Sequence, residues 1–117
     1  QSDPDFVRRA GHRPMLDLGQ IRKELLSVGG AHNLQMMILH IDPQGSSGAT
    51  PLSYPAEKGG LVLSGEVILR VGEDETSLRE GDSFAFDSSL PHSFRNIGQV
   101  PAKVMWVIGQ VALDRHL

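Results

Sequence analysis

The chain has 117 residues, 39% of them hydrophobic, and a net charge of -3 from 14 acids and 11 bases. That length is one domain with room for its own apolar core. The acidic balance excludes a broad phosphate-neutralising surface, the absence of cysteine excludes disulfides and thiolate metal sites, and no apolar run approaches the ~18 residues of a membrane span.

Residues 1–12 have no period and read as a linker or N-terminal extension, with Arg8 and Arg9 solvated. No signal peptide is visible. The chain opens at Gln1 without a methionine, which reads as the start of a fragment, with part of the function expected outside it. Residues 13–117 form the expected domain. Met15, Leu16 and Leu18 predict a short strand. Ile21–Ser27 fits either a helix face through Ile21, Leu25 and Leu26 or a strand, and its period does not separate the two.

Asn33–Asp42 is the longest apolar run. Leu34, Met36, Ile38 and His40 share one face and Gln35, Met37, Leu39 and Ile41 the other, which predicts a central strand covered on both sides. A loop follows at Pro43–Gly48. Thr50–Glu57 is polar, and after Gly59-Gly60 the run Leu61, Val62, Leu63 begins. Glu66–Val71 alternates as a strand, Gly72–Asp74 turns, and Glu75–Arg79 returns. Ala102–Val111 is the last strand, with Val104, Trp106 and Ile108 on one face. Asp114–Leu117 is a polar tail. Trp106 and the four phenylalanines are expected in the core, one or two of them lining a pocket. Thirteen glycines and seven prolines punctuate these runs. Short strands with turn signals at short intervals predict an all-β sandwich or barrel.

The stretch Gly81–Asn96, GDSFAFDSSLPHSFRN, organises the rest. Gly81-Asp82 is a turn, and Ser83–Phe86 has the period of a half-buried strand. Asp87, Ser88, Ser89 and Pro91 make a second turn. His92–Arg95 starts another strand after a hairpin-like return, and Asn96–Gly98 closes it. His92 therefore stands at the mouth of a strand. A single histidine in such a place is ordinarily a satisfied core or rim residue.

The spacing of Gly81, Asp87, Ser89, His92 and Asn96 resembles the second motif of the cupin superfamily, with Asp87 and Ser89 where the family usually has proline and glycine. Gly65-Glu66-Val67 sits where the first motif ends. The order LSGEVILRVGEDETSLREGDSFAFDSSLPHSFRN, then PAKVMWVIG, with the lead-in VRRAGHRPML, is similar to the C-terminal sensor domains of helix-turn-helix transcriptional regulators. The likeness covers Phe6 to Gly109. It implies a cupin-type double-stranded β-helix, a jelly-roll barrel with a pocket between two antiparallel sheets. It also assigns Ile21–Ser27 to a strand.

Metal-binding cupins present two histidines and a glutamate from the first motif and a histidine from the second. At that spacing this chain carries Leu52, Tyr54 and Lys58, and only His92 remains as a residual candidate ligand. Stable sites use three or four protein ligands, and an ammonium at Lys58 repels a cation. Glu57 is one residue off register, which turns it to the opposite strand face. His40 has no neighbour at ligand spacing, and His12, His32 and His116 read as solvated. No metal, no other cofactor and no catalytic residue are therefore expected. Ser88 and Ser89 read as turn residues and Gly59-Gly60 lacks a phosphate-loop frame. Arg70 and Arg95 read as solvated, either being placed to face a carboxylate instead.

The function these readings imply is a small-molecule sensing and dimerisation domain of a transcriptional regulator. Its pocket would use Leu52, Tyr54, Lys58, His92, Phe94 and Trp106 to hold a small organic effector, with Lys58 suited to an anionic one. Expected partners are a second copy, joined through the N-terminal strands, and DNA only through a domain absent from this chain; the location expected is cytoplasmic. The alternatives are a small metal-dependent cupin enzyme of the dioxygenase or isomerase class, and a cupin kept as a scaffold with a filled interior.

Overall fold

The computed structural model describes residues 3–28 and 33–109. Among them the strands are β1 (Met15–Asp17), β2 (Ile21–Leu25), β3 (Leu34–Ile41), β4 (Glu57–Ser64), β5 (Glu66–Val71), β6 (Asp74–Arg79), β7 (Ser83–Asp87), β8 (His92–Arg95) and β9 (Ala102–Gly109), preceded by a short 3₁₀ turn at Ala10–His12. A six-stranded sheet runs β1-β2-β3-β9-β4-β7 and a three-stranded sheet runs β6-β5-β8, all antiparallel. This is the expected all-β jelly roll. His32 and residues 110–117, with the tail and the last part of the final strand run, lie outside the described residues.

The period of two decides which side chains meet. Met37, Leu39 and Ile41 point inward from β3 and are buried. They pair with Trp106, Val104 and Ala102 of β9, also buried. Val67, Leu69 and Phe94 close the core from the smaller sheet. The ambiguous segment Ile21–Leu25 is a strand because Ile21 and Leu25 pair with Ile41 and Met37 on that same inner face, and this tertiary pairing overrides the local period.

Four expectations are corrected. The β3 strand is central in its sheet but covered on one face, since Leu34 is 50% exposed and Met36, Ile38 and His40 are only half-buried. The return before His92 is not a hairpin: β7 and β8 belong to different sheets. Ser88 makes that crossing, donating from its backbone N–H to Ala56 O at 2.9 Å and from its hydroxyl to Tyr54 O at 2.8 Å. The strand after Gly59-Gly60 starts earlier, at Glu57, and runs through both glycines. A Cβ on Gly60 would lie 2.1 Å from Met105 O and 2.6 Å from the Phe84 ring, so only glycine lets that ring cross the strand. Finally, Phe6 is 84% exposed and contributes nothing to the core.

Gly65 lets the chain pass from one sheet to the other, with φ +79 and a virtual Cβ 2.8 Å from Ala102 Cα. The buried Asn96 side chain ties the far end. Its amide donates to Ile41 O at 3.1 Å and Val100 O at 2.8 Å, and its oxygen accepts from the Gly98 N–H at 2.9 Å.

Candidate functional site

A cavity of about 630 Å³, in the size range of small-molecule sites, opens on the inner face of the large sheet, closed on one side by Phe94 of the smaller sheet and by the loop through Ser46 to Tyr54. Leu52, Tyr54, Lys58, Phe94 and Trp106 all line it. His92 does not. It is 1% exposed and stands behind Lys58, against the Phe86 ring at 4.9 Å. The structure thus brings five of the six candidate pocket residues to the cavity wall and puts the sixth one layer deeper.

Register explains the grouping. Lys58 pairs with Phe86 on one side and Ile108 on the other, on the inward-facing positions of β4, while Glu57 is exposed on the outward side. The loop before β4 runs along β8: Leu52 and His92 exchange backbone hydrogen bonds of 2.8 and 2.9 Å. Residues 52, 54, 58 and 92 therefore converge, as the family spacing implies.

The centre of the site is one contact. Lys58 Nζ lies 2.8 Å from His92 Nε2, and both residues are buried. The other ring nitrogen, Nδ1, is 2.9 Å from Leu90 O. A carbonyl only accepts, so Nδ1 carries the proton and Nε2 presents its lone pair to the Lys58 ammonium. Burial, with the Lys58 charge adding to it, holds the His92 pKa below the usual histidine range against the opposing Leu90 hydrogen bond. Burial also lowers the Lys58 pKa, and the Lys23 charge lowers it further. The ammonium sits 4.7 Å from the Tyr54 ring centroid and 5.8 Å from that of Trp106, both within cation–π range. Desolvation pushes the Tyr54 phenol up, so at neutral pH it stays a hydrogen-bond donor.

These residues do not fit a metal. Both ring nitrogens of His92 are engaged, one of them by a cation. Leu52 has no donor atom, and Glu57 faces away. Among the described residues no group of three or more His, Asp or Glu side chains is arranged to hold an ion. His40 is held elsewhere, 2.9 Å from Glu24 on the outer face of the large sheet. Ser89 is a turn residue, its N–H and hydroxyl both donating to Asp87. Arg95 meets the Glu75 carboxylate at 3.0 Å on the surface, and Arg70 donates to Gly72 O.

Sequence reading missed Lys23, Gln20, Ser46 and Ser47, which also line the cavity. The signal for Lys23 was present, because it shares a face with Ile21 and Leu25 once the segment is a strand. The serines come from a loop, where no period applies.

A family model for the cupin domain matches residues 37–108. The chain belongs to the cupin family. A curated relative of this cupin, the HTH-type transcriptional regulator PuuR of Escherichia coli (strain K12), is 26% identical over 84 residues, 70% of this chain and 45% of the regulator. The cupin chain thus spans under half the length of that relative. Among solved structures, the cupin domain of an XRE family transcriptional regulator from Enterobacter cloacae superposes with a TM-score of 0.71 at 18% identity, covering 80% of this chain and all of that one. A sugar phosphate isomerase of the cupin superfamily from Silicibacter pomeroyi superposes with a TM-score of 0.62 at 20% identity, covering 76% and 60%. Those two likenesses show the shared fold. By sequence this cupin is thus related to a transcriptional regulator, and it shares its fold with a regulator domain and with an isomerase.

Proposed function

We propose that this cupin is the effector-sensing domain of a transcriptional regulator and that its cavity binds a small organic anion without a metal. The observation that carries this reading is the buried Lys58–His92 contact at the positions where metal-binding cupins hold an ion. A fixed ammonium with an imidazole behind it, in a half-apolar cavity, attracts a carboxylate and repels a cation. Tyr54 supplies a hydrogen bond and Leu52, Phe94 and Trp106 supply apolar walls. An open cavity of about 630 Å³ also speaks against a scaffold with a filled interior. DNA contact, in this reading, belongs to a domain outside this chain, in the cytoplasm where a regulator works.

The same reading includes a homodimer joined through the N-terminal strands. Its support is β1, the edge of the large sheet among the described residues, where Met15 and Leu16 are 49% and 48% exposed; a sheet edge is a template for pairing with another chain. Sedimentation should show a dimer, and a monomer at high concentration overturns this part.

The sensing reading is tested by thermal melts and calorimetry with small organic acids and, separately, with zinc, iron(II), manganese and nickel. An organic acid should raise the melting temperature and the metals should leave it unchanged. Stoichiometric binding of a transition metal overturns the metal-free reading and favours the enzyme alternative.

A further inference from the structure

Lys58 is not the one cation facing the cavity. Lys23 lines it too, and among the described residues no Asp or Glu does, although the chain as a whole is acidic. Among the described residues, neither lysine is in an ion pair. The acids closest to Lys23 in the sheet are engaged on the opposite face: Glu24 with Arg13 and His40, Asp42 with Arg22. Alternation along β2 sends Arg22 and Glu24 outward and Lys23 inward with Ile21.

The sheet register sets where the two lysines stand. Lys23 shares an inner row with Leu39, Val104 and Val62. Lys58 lies on the same strand as Val62, two inward positions away. Their Cα atoms are thus three strand spacings apart across the sheet, roughly 14 Å, and four residues apart along it, roughly 13 Å; curling of the sheet and the reach of both side chains shorten the gap between charges. They are close enough for the Lys23 charge to lower the Lys58 pKa. Between the two rows the wall is apolar, formed by Met37, Leu39, Trp106 and Ile108. Two separated cations with an apolar floor between them match a molecule with an acid at each end and methylenes in the middle. A single phosphate centre needs both ammoniums on one point, whereas these start from rows two inward positions apart with the apolar wall between them.

We infer that the cavity recognises a linear dicarboxylate, one end held by Lys58 and the other by Lys23. This rests on the reading of the cavity as an anion site. Calorimetry on this chain with the dicarboxylates from malonate to suberate, against monocarboxylates of matching length, tests it. One diacid should bind at least tenfold more tightly than its matching monoacid. Lys23→Met should bring that diacid down to the monoacid's affinity and change the monoacid several-fold less, with melting temperature as the folding control. Lys58→Met should weaken both. If diacids and monoacids bind alike and Lys23→Met changes neither, the two-ended inference falls and the anion site stands. If no carboxylate binds, or Lys58→Met changes nothing, the anion site falls and takes this inference with it. Inorganic phosphate binding more tightly than every diacid, with dependence on both lysines, places both charges on one centre and also overturns the inference.

Discussion

Lys58 donates through its ammonium to Nε2 of His92 across 2.8 Å, and neither side chain has a carboxylate partner among the described residues. A buried cation is ordinarily neutralised by an acid. Here its charge is met by one imidazole lone pair and two aromatic faces. That arrangement leaves a positive potential directed at the cavity.

His92→Phe keeps the ring against Phe86 and removes both hydrogen bonds. The domain should stay folded and lose about 2 kcal/mol, since two hydrogen bonds go and the buried Lys58 ammonium loses its acceptor. Because His92 orients Lys58 and does not line the cavity, affinity for an organic acid should drop several-fold as well. Denaturant melts and calorimetry check the two effects. The variant should also flatten one part of the pH profile. The folded His92 pKa is depressed, so the unfolded chain binds more protons, and native stability falls as pH drops through about 6.5 toward the folded value. Melts of the variant between pH 7 and 5 should lack that component.

Anion binding should weaken on the alkaline side. The free Lys58 pKa lies below the usual 10.5, first through burial and then through the Lys23 charge. A carboxylate favours the ammonium and so raises that pKa, and the complex takes up protons. Affinity should therefore decline as pH rises through the lowered free-state value, by about tenfold per unit. Without ligand the sign reverses for stability: the unfolded lysine holds its proton more firmly, so the fold gains as pH rises through that range. Calorimetry in buffers of different ionisation enthalpy should detect the proton uptake.

Gly60→Ala should abolish or severely weaken folding. The added methyl has Met105 O at 2.1 Å and the Phe84 ring at 2.6 Å, and a backbone carbonyl in a paired strand has no room to yield. Gly72→Ala is the contrast, since nothing lies within 4 Å there and only its φ of +60 is unfavourable. It should cost about 1 kcal/mol. Circular dichroism and thermal melts of the two variants check the order.

Asn96→Ala removes two donated hydrogen bonds and one accepted bond from a side chain that is 1% exposed. It leaves the Ile41 carbonyl without that donor where the chain crosses between sheets. A loss of about 3 kcal/mol is expected, larger than for His92→Phe and with no direct effect on ligand selectivity. Denaturant titration of both variants compares them.

Much of the fold was legible in the chain. Alternation in Glu66–Val71, Ser83–Phe86 and Ala102–Ile108 marks strands because the side-chain period of a strand is two, and Gly65, Gly72 and Gly81 mark their ends. The one-residue offset of Glu57 from Lys58 is enough to put them on opposite strand faces. The convergence of Leu52, Tyr54, Lys58 and His92 followed from the family spacing, because a β-helix repeats its register.

Other features depended on what comes alongside. Ile21–Leu25 is a strand because Ile41 and Met37 stand beside it. The turn before His92 crosses between sheets because Ser88 reaches back to Tyr54 and Ala56, residues over thirty positions earlier. The same holds within the site. Sequence determined that Lys58 stands where an acid is usual and that His92 is kept. Only the tertiary structure decided that His92 is covered by Lys58 and that Lys23, from two strands away in the chain order, shares the cavity. Side-chain period is local and can be read along the chain; which rows of side chains face one another is set by the pairing of distant strands, and that pairing is what brings the two lysines to one wall.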